Sequence, residues 1–342
     1  MRSGFLKDVC MVALAAAVFC LTLSGCRRSG EDGGAEVPAE AGHPLKVVTT
    51  LFPYYDFTRQ IAGENIELSM VIPAGMDSHS FEPTPADIRL IEEADLFICN
   101  GGHMEQWVSQ VLSSLDTPSM TVVTMMDHVD VVEEEIVEGM EVSGHEHEHG
   151  HDEDGHDAED ESLYEIEYDE HIWTSPANAM EIVEVISAAL KEADPEHAKD
   201  YEAGAEAYLA KLSKLDAEFA GVVAEAKRDI MIFGDKFPLR YFADEYGLRY
   251  RAAFSGCSTD TEPSAKTIAY LIDKVREEHI PAVYYLELSS PRVAEIIGEE
   301  TGAEPLLFHS CHNVTRREFD AGVTYLELME NNVKNLRKGL CE

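Results

Sequence analysis

From residue 45 onward, short apolar runs rich in β-branched residues alternate with segments whose apolar residues recur at helical spacing. Such alternation is typical of an α/β architecture built on mainly parallel sheets with flanking helices. The candidate strands are 46–50, 67–72, 96–100, 121–124, 230–233, 249–254, 282–286 and 305–308. The candidate helices are 54–62, 85–93, 104–115, 239–246, 264–279, 291–301 and 319–337. The two sets of elements predict two α/β lobes, residues 45–193 and 229–342.

Residues 194–228 join the two sets of elements. The segment is rich in Ala, Glu, Lys and Leu, begins with Asp194-Pro195, and has no further proline. This pattern favours a helix that starts at the proline, because proline is tolerated in the first helical turn. We expect one rigid helix of about 34 residues, near 50 Å long at 1.5 Å per residue. A coiled coil would require sustained heptads, which the segment lacks.

The first 25 residues have the pattern of an export signal. Two basic residues precede an uncharged, mostly apolar run, 9–23, which is followed by Ser-Gly-Cys. The run is short for a membrane-spanning helix, which needs about 20 apolar residues, and it suits a secretory signal. The Leu-Ser-Gly-Cys ending resembles the bacterial lipobox, which implies lipidation of Cys26 and an anchor on the outer face of the cytoplasmic membrane. An ordinary cleaved signal is the alternative, and residues 26–44 are expected to form a flexible spacer.

The net charge of −40 is concentrated in part of the chain. Residues 130–170 hold nineteen Asp or Glu and no Lys or Arg. Such a charge repels nucleic acid and anionic membrane surfaces, so nucleic acid is excluded as a partner.

Residues 130–168 are predicted to be an acidic, His-rich loop without a packed core. Its histidines alternate with acidic residues, and in an extended chain such alternation presents several imidazoles on one side. The loop is therefore a candidate for gathering metal ions loosely, and a merely solubilising linker is the alternative. The histidines concerned are His145, His147, His149, His151 and His156.

Cys99, Cys257, Cys311 and Cys341 remain in the body of the chain after residue 26. No two are close enough in sequence to suggest a zinc ribbon or a redox motif. A disulfide between Cys257 and Cys311 is a hypothesis, since the compartment outside the cytoplasm permits one.

His79 is the first candidate ligand. A candidate strand ends near residue 72, a glycine-containing loop follows, and the histidine stands just before a helix that starts at Pro85. A neutral imidazole is the commonest metal ligand, and loops at the carboxyl edge of a parallel sheet are where α/β proteins bind ligands. A single histidine on a loop is more often merely solvated, so these residues alone leave both interpretations open.

Residues 75–87, GMDSHSFEPTPAD, resemble a motif of the metal-binding subunits of ABC importers for zinc and manganese. That motif is Gly-x-Asp-Pro-His-x-(Tyr/Phe)-Glu-Pro-x-Pro-x-Asp, and here Ser78 replaces its first proline. The similarity continues in DEHIWTSP at 169–176, in DTEPS at 260–264 and in Leu-Glu at 286–287. It covers nearly the whole chain after residue 45. The resemblance implies two α/β lobes joined by one long helix, with the metal ion bound between them.

The resemblance also implies a ligand set. The first two ligands of the family fall on His79 and His171. The third should lie in residues 233–242, where no histidine is present and Asp235 is the one good donor, although an aspartate there also suits a helix N-cap. The fourth falls in the segment LFHSCHN at 307–313, where His309 is our choice and His312 and Cys311 are the alternatives.

A site rich in imidazole nitrogen favours zinc over manganese, which prefers oxygen ligands. The sequence has no His-Glu-x-x-His motif, nucleophile elbow, phosphate loop or dinucleotide fingerprint, which argues against an enzyme. We therefore expect a monomeric extracytoplasmic protein that captures Zn²⁺ and delivers it to an ABC permease and its ATPase. A manganese- or iron-binding subunit of the same family and a metal-binding surface adhesin are the alternatives.

Overall fold

The computed structural model describes residues 43–141, 167–258 and 262–342. The predicted export signal, Cys26 and the five histidines of the predicted metal-gathering loop lie outside the described residues. In the described ranges, no helix combines the length and apolar character that a bilayer crossing requires.

The first lobe is built on a four-stranded parallel sheet of order β2-β1-β3-β4. Its strands are β1 (Leu45–Thr49), β2 (Ile66–Met70), β3 (Leu96–Cys99) and β4 (Thr121–Thr124). The helices that connect successive strands are α1 (Phe52–Ala62), α2 (Pro85–Glu92) and α3 (Gln106–Ser114). Every residue of β3 is buried, as expected for a central parallel strand that is covered on both faces. The loops that follow β2 and β3 leave the sheet at its carboxyl edge.

Two packed helices, α4 (Pro176–Ala193) and α5 (Ala198–Ala224), join the lobes. A short 3₁₀ helix, Pro195–His197, separates them. The predicted long helix is therefore shorter than expected: α5 has 27 residues, which is about 40 Å. Helix α4 has no counterpart among the predicted elements. It begins with Ser175 as N-cap and Pro176 in the first turn.

The second lobe contains shorter parallel pairs of strands. The strands are β5 (Ile230–Ile232), β6 (Lys236–Phe237), β7 (Arg249–Arg251), β8 (Phe254–Ser255), β9 (Ala282–Tyr285) and β10 (Glu304–Leu307). The helices are α6 (Arg240–Tyr246), α7 (Ala265–Glu277), α8 (Arg292–Thr301), α9 (Arg316–Asp320) and α10 (Tyr325–Cys341). The pairs are β5-β7, β6-β8 and β9-β10, and one parallel bridge between Phe233 and Tyr284 connects the first pair to the third.

The parallel α/β class predicted from the sequence is confirmed. One hydrophobic core runs through both lobes. The ring of Phe57 on α1 lies 4.9 Å from that of Tyr325 on α10, and Phe219 on α5 lies 4.9 Å from Phe242 on α6. Asp56, fully buried on α1, accepts a hydrogen bond of 2.7 Å from the backbone N–H of Tyr325. Helices of both lobes are therefore packed into one body.

The hypothesis of a disulfide between Cys257 and Cys311 is wrong for this structure, in which both residues are free thiols. Cys311 is fully buried in the shared core. Cys257 is half-buried, and its backbone N–H donates to the Glu134 carboxylate at 3.0 Å. Cys257 lies in the loop after β8, and Cys311 lies in the loop after β10.

Gly204 allows α5 to contact α1 closely, because a Cβ at this position would overlap the carbonyl oxygen of Ile61. We expect Gly204→Ala to lower the free energy of unfolding by about 1–3 kcal/mol, as overpacked substitutions do. Gly221→Ala in the same helix is the control, because a Cβ there meets nothing within 4 Å. This variant should be as stable as the parent or more stable by up to about 1 kcal/mol. Urea denaturation measures both, and equal effects would contradict the close helix contact.

Candidate metal centre

Three imidazoles meet in a small cleft between the lobes. The ring centroids of His79 and His171 are 5.7 Å apart, and those of His79 and His312 are 6.0 Å apart. The cleft has a volume of about 150 Å³. Besides the three histidines, its charged lining residues are Asp77, Lys236 and Glu287.

His79 lies in a one-turn 3₁₀ helix, Ser78–Ser80, in the loop that leaves β2. Asp77 is the N-cap of this turn, and its carboxylate accepts the backbone N–H of His79 at 2.9 Å. The next helix, α2, is fixed by a capping box between Thr84 and Asp87. The loop is thus held at both ends and presents the imidazole at the carboxyl edge of the first sheet.

His171 is buried and held by Asp169. The Asp169 carboxylate contacts the Nδ1 atom of His171 at 3.0 Å and accepts its backbone N–H at 2.8 Å. A carboxylate on one ring nitrogen fixes the tautomer and leaves the other nitrogen free for a metal ion. Burial acts to lower the pKa of His171, but the negative charge and hydrogen bond of Asp169 outweigh burial, and the pKa is raised.

Two further carboxylates position the segment before His171. Glu105 accepts the backbone N–H groups of Asn100 and Gly101 at 2.7 and 3.0 Å. Glu170 accepts the backbone N–H groups of His103 and Met104, the latter at 2.7 Å. The loop after β3 is thereby attached directly to the residue that precedes His171.

His312 follows β10 and stacks on the indole of Trp173, with the ring centroids 6.3 Å apart and the planes at 16°. Its Nε2 atom contacts the hydroxyl of Ser78 and accepts the backbone N–H of Ser78 at 3.3 Å. A proline at position 78, as in the family motif, has neither a hydroxyl nor an N–H. The contact between the lobes through Ser78 and His312 is therefore a property of this chain.

His309, the fourth ligand predicted from the sequence, does not line the cleft. It is buried at 3% exposure, and its Nδ1 atom accepts the backbone N–H of Cys311 at 2.9 Å. Its backbone N–H and carbonyl are both bonded to the side chain of Asn332. Cys311 adopts a left-handed backbone conformation, with φ of 61°. The chain therefore reverses between the two histidines, so that His309 enters the core and His312 enters the cleft.

Asp235, the predicted third donor, has its carboxylate occupied by protein hydrogen bonds. It accepts the backbone N–H groups of Leu286 at 3.1 Å and Lys236 at 2.8 Å, and the hydroxyl of Ser289 at 3.3 Å. These bonds tie the loop after β5 to the loop after β9. The next residue, Lys236, lines the cleft instead. This stretch therefore presents an ammonium group where a donor was predicted.

The electrostatics keep two of the imidazoles neutral. Burial lowers the pKa of His79 to about 4, and proximity to His171 adds to the effect. Burial likewise lowers the pKa of His312 to about 4, and proximity to His79 adds to it. A neutral imidazole is the form that binds a metal ion. Both rings are therefore in the form that can bind a metal ion, although the Nε2 atom of His312 is engaged by Ser78 in this structure.

The imidazoles are close to the spacing that one zinc ion imposes. With Zn–N bonds of about 2.0–2.1 Å, the ring centroids of two tetrahedral imidazole ligands stand roughly 5 Å apart. Within the described ranges, no group of three or more His, Cys, Asp or Glu side chains already converges as a finished metal site. The two ring pairs given above exceed the liganded spacing by only about 1 Å.

The chain is similar to proteins of zinc uptake. The sequence model of the family described as "Zinc-uptake complex component A periplasmic" matches residues 47–339. The chain is 33% identical over 325 residues to the high-affinity zinc uptake system protein ZnuA of Bacillus subtilis, covering 95% of each chain. It is similar to the crystal structure of the Zn(II)-bound ZnuA-like domain of Streptococcus pneumoniae AdcA, with a TM-score of 0.69 and 28% identity over 88% of this chain and all of that one.

The chain is also 34% identical over 295 residues to the zinc-binding protein AdcA of Streptococcus pyogenes. This match covers 86% of the chain but 55% of the relative. The chain therefore spans about half the length of that curated relative.

Burial raises the pKa of Glu105 to about 7, from an ordinary value of 4.5. Between these two values the folded protein holds a proton that the unfolded chain has released, so stability falls as pH rises from about 4.5 through about 7. Glutamine does not ionise, so Glu105→Gln does not lose stability in this way. The free energy of unfolding of the variant minus that of the parent should therefore increase by about 3 kcal/mol between pH 4.5 and pH 7. Urea denaturation with a chelator at pH 4.5 and pH 7.5 measures it. The exposed control Glu92→Gln should follow the parent, and parallel profiles for all three proteins would contradict the prediction.

Proposed function

From the premise that the chain belongs to the family of the periplasmic zinc-uptake component A, we propose that it captures Zn²⁺ and delivers it to the permease of an ABC importer. The ATPase of that importer supplies the energy, and the chain itself catalyses no reaction. The presence of His79, His171 and His312 together in one cleft between the lobes carries the proposal. No other described part of the molecule gathers three imidazoles in this way.

The donor set supports zinc as the cargo. Three imidazole nitrogens suit Zn²⁺, which takes four ligands in tetrahedral geometry, whereas Mn²⁺ prefers carboxylate, carbonyl and water oxygens. The carboxylates of Asp235 and Glu287 are already bonded to protein groups.

In the proposed ligand set, His312 takes the position that the sequence assigned to His309. Asp235 is retained as the residue that fixes the two loops of the second lobe, rather than as a ligand. His171 is the best supported of the three ligands, because Asp169 holds its ring from behind.

Two further parts of the proposal concern residues outside the described ranges. We propose that Cys26 is lipidated and tethers the chain to the outer face of the cytoplasmic membrane, which the mass of the mature N-terminal peptide checks. We also propose that His145, His147, His149, His151 and His156 gather zinc loosely.

Each of His79→Ala, His171→Ala and His312→Ala should weaken zinc binding by more than about 100-fold. Loss of a residue that merely orients a ligand already costs about 10- to 100-fold. Competition against a zinc chelator of known affinity measures the change, with circular dichroism to verify folding. The parent should also gain about 2.7 kcal/mol of stability at a zinc concentration one hundred times its dissociation constant.

Two control variants test whether His312 or His309 is the ligand. In His309→Asn, the amide oxygen can replace Nδ1 as the acceptor for Cys311, so the core is disturbed little and affinity should stay within about threefold. His103→Ala removes an exposed histidine and should also be neutral. Loss of binding in His309→Asn together with retention in His312→Ala would contradict the proposed ligand set.

Deleting residues 145–156 should leave one tight zinc site intact and remove additional weak binding. The weak sites depend on the imidazoles of the deleted segment, whereas the tight site depends on those of the cleft. Isothermal titration with the full chain and the deletion variant compares stoichiometry and affinity. A weakened tight site in the deletion variant would show that the loop supplies a ligand and would contradict the auxiliary role.

A further inference from the structure

Lys236 places a positive charge in a cleft that receives a cation. The residue lies on β6, and its side chain lines the same cavity as His79, His171 and His312. It is close enough to His79 and Asp77 to act on both electrostatically. Within the part of the chain that the structure describes, its ammonium group has no hydrogen bond or ion pair.

The negative groups of the cleft do not neutralise this charge directly. Glu287 accepts the backbone N–H and the hydroxyl of Ser310 at 2.8 and 2.5 Å. Asp77 uses one oxygen to cap the turn that carries His79, and the residue is exposed at the outer edge of the cleft. The cleft therefore offers a zinc ion three imidazoles beside an ammonium group, and an anion in the fourth position would offset that positive charge.

We propose that zinc in this cleft takes its fourth ligand from solution as a small monovalent anion, a halide such as chloride, which the Lys236 ammonium holds from the other side. The inference rests on the proposed function. Zinc sites with three protein ligands keep an open position for a molecule from solution. An anion between the two cations is attracted by both and removes their mutual repulsion, and this gain is largest where water is largely excluded.

In this arrangement zinc and the anion each raise the affinity of the cleft for the other, because coupling between two binding sites is reciprocal. If one anion binds with each zinc ion, the apparent zinc affinity rises tenfold for each tenfold rise in free chloride, until the anion saturates. Without chloride, the ammonium of Lys236 opposes zinc binding. A lysine that merely projects into solvent would give neither effect.

The test compares the parent with Lys236→Met, which keeps the length of the side chain and removes its charge. Zinc affinity is measured by chelator competition from 0.1 to about 100 mM chloride, with methanesulfonate holding ionic strength constant because salt screens charges. We expect a slope near one for log affinity against log chloride in the parent and near zero in Lys236→Met. Without chloride, the variant should bind zinc more tightly than the parent. Lys266→Met, which removes an exposed lysine on α7, should behave as the parent.

X-ray absorption at the zinc edge provides a direct second measurement. With bromide replacing chloride, the zinc-loaded parent should show a bromine neighbour, and Lys236→Met should not. Only nitrogen and oxygen neighbours in the parent, with affinity independent of halide, would overturn the inference and assign the fourth position to water or to Asp77. Zinc affinity lost in Lys236→Met at every chloride concentration would overturn it in favour of the lysine amine as a ligand. Either result leaves the proposed zinc function standing, whereas a parent that binds no zinc in any medium removes both.

Discussion

The placement of the imidazoles depends on one buried side chain, Trp173. Its indole Nε1–H donates to the carbonyl of Ser310 at 2.8 Å, so it ties the segment that carries His171 to the loop that carries His312. The flat face of the same indole stacks on His312, and its edge meets the ring of His171 at 5.6 Å between centroids. The hydroxyl of Tyr325 donates to the Trp173 carbonyl at 2.8 Å. A rigid, two-ringed side chain with a single donor thus sets both the distance and the orientation of two imidazoles.

The contacts of Trp173 limit how a bound zinc ion could leave the protein. The lobes share a continuous core, α5 packs against helices of both, and Trp173 joins their loops, so the available motion is a small tilt rather than a wide opening. With the pKa of His79 and His312 lowered to about 4, a modest fall in pH protonates neither ring. The pKa of His171 is raised, so a fall in pH protonates that ring first, and release in the proposed cycle follows from this protonation or from separation of the lobes by the importer.

The sequence predicts most of the fold because buried parallel strands and amphipathic helices have distinct apolar periods. Helix α4 was missed although its start signals, Ser175 and Pro176, are present, so its absence from the prediction was avoidable. Local sequence signals do not decide whether His309 or His312 enters the cleft. Both follow the last strand, and the left-handed backbone of Cys311 that separates them has no signal in a non-glycine residue. Lys236 escaped notice for a related reason, since two-residue strands have no detectable period.

The charge of the whole chain and the chemistry of the cleft act at different ranges. A net charge of −40 attracts every cation to the surface, without distinguishing zinc from the far more abundant calcium or magnesium. Those ions require six or more oxygen ligands, and the carboxylates of Asp235 and Glu287 are held by protein hydrogen bonds. The other charged and donor groups of the cleft are the three imidazoles, the Asp77 carboxylate and the Lys236 ammonium group, which repels cations. Long-range attraction therefore concentrates metal ions near the protein, and in the proposed function selection among them occurs within a few ångströms of His79, His171 and His312.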